Sequence, residues 1–209
     1  MREHHYVGVD LGQARDPSAI AILEYSESLS PVRDPVKFNY PIIRQLALRQ
    51  VERLPLGLEF SEVASRVGQI ARYLANLSPA HMRSPSVTIV VDATGVGRPV
   101  VEMIRKEPLS YAQVIPVMIT GGSSSHQSKG FWYVPKTELM MRLATMIDHR
   151  EFVIAGNLRN KDAWIAEMLS VKRETLSGNP DDMIFATALA CWRARRGKVG
   201  ESNVPLRFN

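Results

Sequence analysis

His5-Tyr6-Val7-Gly8-Val9-Asp10-Leu11-Gly12 is the stretch from which the rest of the chain can be read. Tyr6, Val7 and Val9 favour extended backbone, and Asp10 ends the run just before a glycine-bearing turn. A second apolar run, residues 18–25 (SAIAILEY), is reached through Gly12, Asp16 and Pro17. That order predicts a β-hairpin with a long connection. A carboxylate at the end of a buried strand is costly unless something pairs it. Taken alone, Asp10 could equally serve as a turn cap, because aspartate is a favoured turn residue.

Two further acids stand in comparable settings. Residues 87–92 (VTIVVD) form the strongest strand signal in the chain, a continuous β-branched run closed by Asp92. Such a run predicts a strand covered on both faces, with its acid at the C-terminal end, where open α/β sheets bind ligands. It is followed by Ala93-Thr94-Gly95-Val96-Gly97 and a predicted helix beginning near Pro99. The third setting is Asn179-Pro180-Asp181-Asp182, opening an alanine-rich helix. Asn179 suits an N-cap and Pro180 the first helical position. Acids in a first helical turn are also explained by the helix dipole alone. The recurrence of three such sites, rather than any one, points to function.

Composition narrows the classes. The 209 residues suit one large domain, and 45% apolar content is ordinary for a globular chain. A net charge of +5 permits a nucleic-acid partner without establishing one. Cys191 is the single cysteine, so neither an internal disulfide nor a cysteine-built zinc site can form, and its apolar helix makes it a core residue. The N-terminal apolar run is too short for a signal peptide, and no stretch approaches membrane-spanning length, so a cytoplasmic location without membrane contact is expected. The pattern GxxxxGK[ST] is absent from the sequence, which removes a P-loop ATPase.

Between the acids the pattern predicts alternating strands and helices. A third strand is expected over 36–43 (VKFNYPII), with Pro41 marking an edge, whereas 45–53 is polar and ambiguous. Apolar residues at helical spacing, from Phe60 to Leu77, predict a helix over 59–77. A short strand is expected at 114–119, helices at 137–149 and 161–172, and a strand at 151–155. The segment 121–130 (GGSSSHQSKG) reads either as a simple connector or as a flap that orders on a phosphate backbone. Residues 1–196 are expected to form one domain, and the basic, aperiodic 197–209 a flexible tail.

Clustered carboxylates repel and raise one another's pKa, and a divalent cation relieves that repulsion. An oxygen-rich, sulfur-free set suits Mg²⁺ or Mn²⁺, and two such ions can activate a water and stabilise the leaving oxygen of a phosphodiester. Glycoside hydrolysis also uses paired acids but needs an aromatic-lined cleft, and only 7% of the chain is aromatic.

In this order the segments YVGVDLGQARDPSAIAIL, VDATGVG, VPKTELM and NPDDMIFATALACW resemble the nuclease domain of phage terminase large subunits. The resemblance spans nearly the whole chain and implies a ribonuclease H-like α/β fold: a mixed sheet opening on a β-hairpin, central parallel strands, flanking helices. It implies a DNA endonuclease with two Mg²⁺ or Mn²⁺ ions. Carried over by motif, Asp10, Asp92 and Asp182 are the catalytic metal ligands. Asp181 is the reserve within the pair, because Asp182 lies one turn before Ala186 on the small-residue face. Members often carry a histidine before the acidic pair; here Pro180 stands there, and any role of that histidine is lost. Implied partners are double-stranded DNA, a small terminase subunit, a portal and an ATPase motor supplied by another chain, in a bacterial host under a phage or prophage.

Weaker expectations attach to other residues. Lys129, Lys136, Arg193, Arg195 and Arg196 are candidate DNA-backbone contacts, with ordinary surface charge as the alternative. Asp16 is a turn former or a neighbour of the metals, and Gly95 and Gly97 allow close packing or phosphate approach. A Holliday-junction resolvase on the same fold is the main competing function. A non-catalytic docking module is another. An actin-like or sugar-kinase ATPase fits less well, since its first hairpin needs hydroxyl and glycine contacts to phosphate where this one reads DLGQARDPSA.

Overall fold

A computed structural model describes residues 3–12, 16–77, 86–109, 112–172 and 181–196. The expected N-cap Asn179, Pro180 and the tail 197–209 lie outside the described residues. The hairpin forms from β1 (Glu3–Asp10) and β2 (Ala19–Leu29), antiparallel, with Asp10 opposite Ala19. On the other side of β1 runs β4 (Val87–Asp92), parallel to it, with Val9 beside Val91. The sheet continues outward through β5 (Ala112–Thr120), β7 (Phe131–Pro135) and the edge strand β6 (His126–Ser128). In the other direction it continues through β3 (Ile42–Arg53) and β8 (Phe152–Ile154). The order is β6-β7-β5-β4-β1-β2-β3-β8, a mixed eight-stranded sheet with its parallel strands central.

Two cores follow from the pleat, whose side chains alternate between faces. Val7, Val9, Ile20, Ile22, Val87, Ile89 and Val91 face one way, onto α1 (Phe60–Leu77) and α2 (Gly97–Lys106). Ala19, Ala21, Leu23, Val90, Ile115 and Val117 face the other, onto α3 (Lys136–Asp148), α4 (Lys161–Lys172) and α5 (Asp182–Arg196). Both faces being covered explains why VTIVVD is apolar without alternation. The spacing that predicted α1 holds through Val63, Val67, Ile70 and Leu74, all buried, while Leu77 at its end is exposed.

Two expectations need correction. The third strand does not span 36–43. Asp34 Oδ1 accepts from the N–H groups of Val36 and Lys37 at 2.8 and 2.9 Å, and Phe38 adopts a φ of 54°, so the chain turns there. β3 starts at Ile42 and takes in the stretch that looked polar and ambiguous. Its polar residues are cross-strand and surface pairs: Arg44 with Glu27, Arg49 with Glu24, Glu52 with Arg66. The segment 121–130 is only partly a loop. Residues 126–128 pair with β7, and Lys129 and Gly130, with φ of 48° and 80°, make the two-residue turn of a hairpin. Among the described residues no helix is long and apolar enough to cross a membrane.

Candidate active site

Strand parity brings the first two acids together. On β1 the residues two apart from Asp10 point away from Val7 and Val9, and on β4 Asp92 shares a side with Val90. Both acids therefore face the α5 side. Their strands are parallel neighbours, and one step beyond the Val9–Val91 pair the two acids lie side by side at the sheet's C-terminal edge. Adjacent strands are about 4.8 Å apart. Asp92 is held by the turn that follows it, its Oδ1 accepting from Thr94 N at 2.8 Å. Gly97, at the start of α2, is needed there because a Cβ on it would stand 2.5 Å from the Asp92 carbonyl oxygen.

The third acid arrives on α5. This helix is buried on nearly every side from Asp182 to Trp192, and its alanines let it lie directly on β1 and β2. At the crossing a Cβ on Gly8 would lie 1.8 Å from the Ala186 carbonyl oxygen, so only glycine admits the helix this close. That contact, one turn from Asp182, sets the helix N-terminus over the Asp10 end of the sheet. The N–H groups of Met183 and Ile184 donate to Glu167 Oε2 of α4 at 3.0 and 3.1 Å. Glu167 Oε1 pairs with Arg53, the last residue of β3, and Arg53 Nε stands 3.4 Å from Asp182 Oδ2. Neither Arg53 nor Glu167 figured in the sequence reading; the pairing depends on tertiary contact between segments that carry no common motif.

Electrostatics register the convergence. Burial pushes the Asp10 carboxyl well above its ordinary range, Asp92, Asp182 and Asp181 push it further, and Lys136 opposes them. Burial likewise raises Asp92, against the Thr94 hydrogen bonds, and Asp182, against Arg53. Burial lifts Glu167 to about 7 from an ordinary 4.5. A carboxyl whose pKa is raised on folding binds more protons folded than unfolded, so its contribution to stability is complete below the unfolded pKa and is lost as pH rises through the folded one. In chelator, denaturant melts should therefore show stability falling as pH rises from about 4.5 towards 7, by roughly 1–3 kcal/mol. A flat or rising profile over that window contradicts the shifts.

Among the described residues no three His, Cys, Asp or Glu side chains stand close enough to grip a metal as they are. Three of the four acids are turned to local partners: Asp92 to Thr94, Asp182 towards Arg53, and Asp181 to Lys136 Nζ at 3.6 Å. The donor set still suits a hard divalent ion: it is all oxygen, and among the described residues the buried Asp182 Oδ2 accepts no hydrogen bond.

The remaining candidates divide by position. Lys136 opens α3 at the site, its ammonium 4.3 Å from the Phe185 ring centre, and Asp16 lies near enough to raise Asp182. Lys129 sits at the β6–β7 turn, at the opposite end of the strand from Lys136. Arg193, Arg195 and Arg196 occupy the last turn of α5, about 15–20 Å along the helix from Asp182. Arg195 pairs with Glu151 at 3.4 Å, and the Arg196 guanidinium lies over Trp132 and Trp192 at 4.6 and 5.3 Å. These last two are engaged within the chain, away from the acids.

Comparison with solved structures finds the same fold elsewhere. The fold matches the human cytomegalovirus terminase nuclease domain, Mn-soaked and inhibitor-bound, at a TM-score of 0.58 and 11% identity, covering 92% of this chain and 84% of that one. An Mn-soaked structure of the same viral domain matches at 0.52, with 13% identity and coverage of 90% and 81%. The large terminase nuclease from a thermophilic phage matches at 0.50 and 14% identity, covering 90% and 81%. The fold is thus that of terminase nuclease domains, the ribonuclease H-like mixed sheet expected from the motifs. No protein-family model matches the sequence, and no curated protein is detectably similar to it.

Proposed function

We propose that the chain is a divalent-metal-dependent endonuclease that hydrolyses DNA phosphodiester bonds, with Asp10, Asp92 and Asp182 as metal ligands. The observation that carries this reading is that β1, β4 and the first turn of α5 bring three acids to one end of the sheet, near enough that burial and their mutual charge raise the Asp10 pKa. Two Mg²⁺ or Mn²⁺ ions bound there would activate a water and stabilise the leaving oxygen. The chain's part is to hold the carboxylates on rigid elements. β1 and β4 fix Asp10 and Asp92 in register, and the Gly8 crossing fixes Asp182. Asp181, already paired with Lys136, stands one residue outside and serves as a secondary ligand.

Lys136, exposed at the rim, is suited to a scissile-strand phosphate, and Lys129 to a more distant one. Arg193 could add backbone contact beyond the reach of the acids. The partner in this reading is double-stranded DNA. As part of phage DNA packaging in a bacterial host cytoplasm, the nuclease would act with an ATPase motor, a small subunit and a portal.

A supercoiled-plasmid assay tests the proposal. Nicked and linear products should appear with Mn²⁺ or Mg²⁺, show little sequence preference, and vanish in EDTA. Cleavage undiminished by excess chelator would remove the metal from the mechanism.

A further inference from the structure

We propose that Arg53 and Glu167 form a positioning pair that aims the Asp182 carboxylate, an inference that rests on Asp182 being a metal ligand. Glu167 is only 5% exposed, and its two oxygens are divided between two tasks. Oε2 takes the N–H groups of Met183 and Ile184, the two residues after Asp182, and Oε1 takes Arg53. Arg53 then reaches Asp182 Oδ2 with Nε at 3.4 Å. Three elements, β3, α4 and α5, are thus joined around one carboxylate.

Stability alone is a poor reason for this arrangement, because a buried ion pair is often no better than well-packed apolar residues of the same volume. Geometry is a better one. An aspartate in the first turn of a helix has a choice of rotamers, and the helix end itself frays unless its free N–H groups are bound. Glu167 ties down the backbone on the C-terminal side of Asp182. Arg53 approaches from the sheet, where its register partner Ala19 is itself opposite Asp10. The planar guanidinium offers donors in a fixed fork, so one arginine can hydrogen-bond Glu167 while keeping Nε within ion-pair distance of Asp182. A lysine has the charge without the fork.

Calorimetric titration of Mn²⁺ into the intact protein, without DNA, tests the pair in Glu167→Gln, Arg53→Lys and Asp182→Asn and in the Arg53→Lys/Asp182→Asn double variant. Glu167→Gln and Arg53→Lys should each weaken Mn²⁺ binding about 10- to 100-fold, the scale on which outer-shell partners act. Arg53→Lys should add no further loss on top of Asp182→Asn, since it acts through that carboxylate. Circular dichroism identifies variants that do not fold; if Glu167→Gln is among them, the milder Arg53→Lys decides. Wild-type Mn²⁺ affinity in folded Arg53→Lys, even with a lowered melting point, overturns the pair and leaves the ligand assignment intact. An equal loss from Arg53→Lys in both backgrounds also overturns it. Wild-type affinity in Asp182→Asn removes the ligand assignment, and the positioning pair falls with it.

Discussion

Asp10→Asn should cut DNA cleavage by about 100-fold or more while leaving the fold intact. Asparagine keeps nearly the shape of aspartate and removes one negative charge from a position where Asp92, Asp182 and Asp181 all act to raise the Asp10 pKa. Without metal, that removal relieves repulsion. In chelator the variant should be at least as stable as the parent, and more stable by up to about 1–2 kcal/mol. With Mn²⁺ present the order should invert, because the parent gains binding energy that the variant lacks. A turn-capping Asp10 predicts the reverse: loss of about 1 kcal/mol of stability with cleavage unchanged. Melting curves with and without Mn²⁺, run beside plasmid nicking, separate the two. A destabilised, fully active variant would take Asp10 out of the site.

The second large effect concerns packing. Gly8→Ala should destabilise the protein by about 3 kcal/mol or more, beyond the usual cost of an overfilled core. The clash is with backbone: the new Cβ would meet the Ala186 carbonyl oxygen at 1.8 Å and its carbon at 2.8 Å, and neither can rotate away. Relief requires α5 to lift from β1, which moves Asp182 from Asp10, so residual folded protein should cleave poorly. Gly121→Ala is the matched control, since nothing lies within 4 Å of its Cβ position, and it should stay within about 0.5 kcal/mol of wild type. Thermal unfolding decides; equal melting points for the two variants would contradict the close crossing.

What could be read in the sequence was whatever local pattern expressed. β1, β2, β4 and α1 carry unbroken apolar signals because each buries a continuous face. β3 does not, for an identifiable reason. The pairing of β2 with β3 shifts between Ile22 and Leu23, so that Gln50 and Leu48 are the successive partners and Arg49 is extra. Past that bulge the parity changes, and Leu46, Leu48 and Val51 reach the same core although their spacing is not even. Period-two reading fails at such a point. Residues 126–128 failed for another reason: an exposed three-residue edge strand of His, Gln and Ser has no apolar face to betray it. In the candidate site, the acids were visible because each stands at the end of a recognisable element. Arg53 and Glu167 were not, since their role arises from distance in space between β3, α4 and α5 rather than from spacing along the chain.

The crossing of α5 over β1 also bears on the order in which the protein can be made. β1 and β2 are made well before the helix that covers their inner face and brings Asp182 towards Asp10, which is the last element described. Contacts this distant in sequence carry a high loop-closure cost and form late. The hairpin must wait, with Ala19, Ala21 and Leu23 without their α5 cover, until that helix has been synthesised. Apolar surface exposed during such a wait is the kind that chaperones shield. On the proposed reading the same delay is a safeguard: a nascent or prematurely terminated chain that lacks α5 lacks Asp182, the third proposed metal ligand, and should not cut DNA.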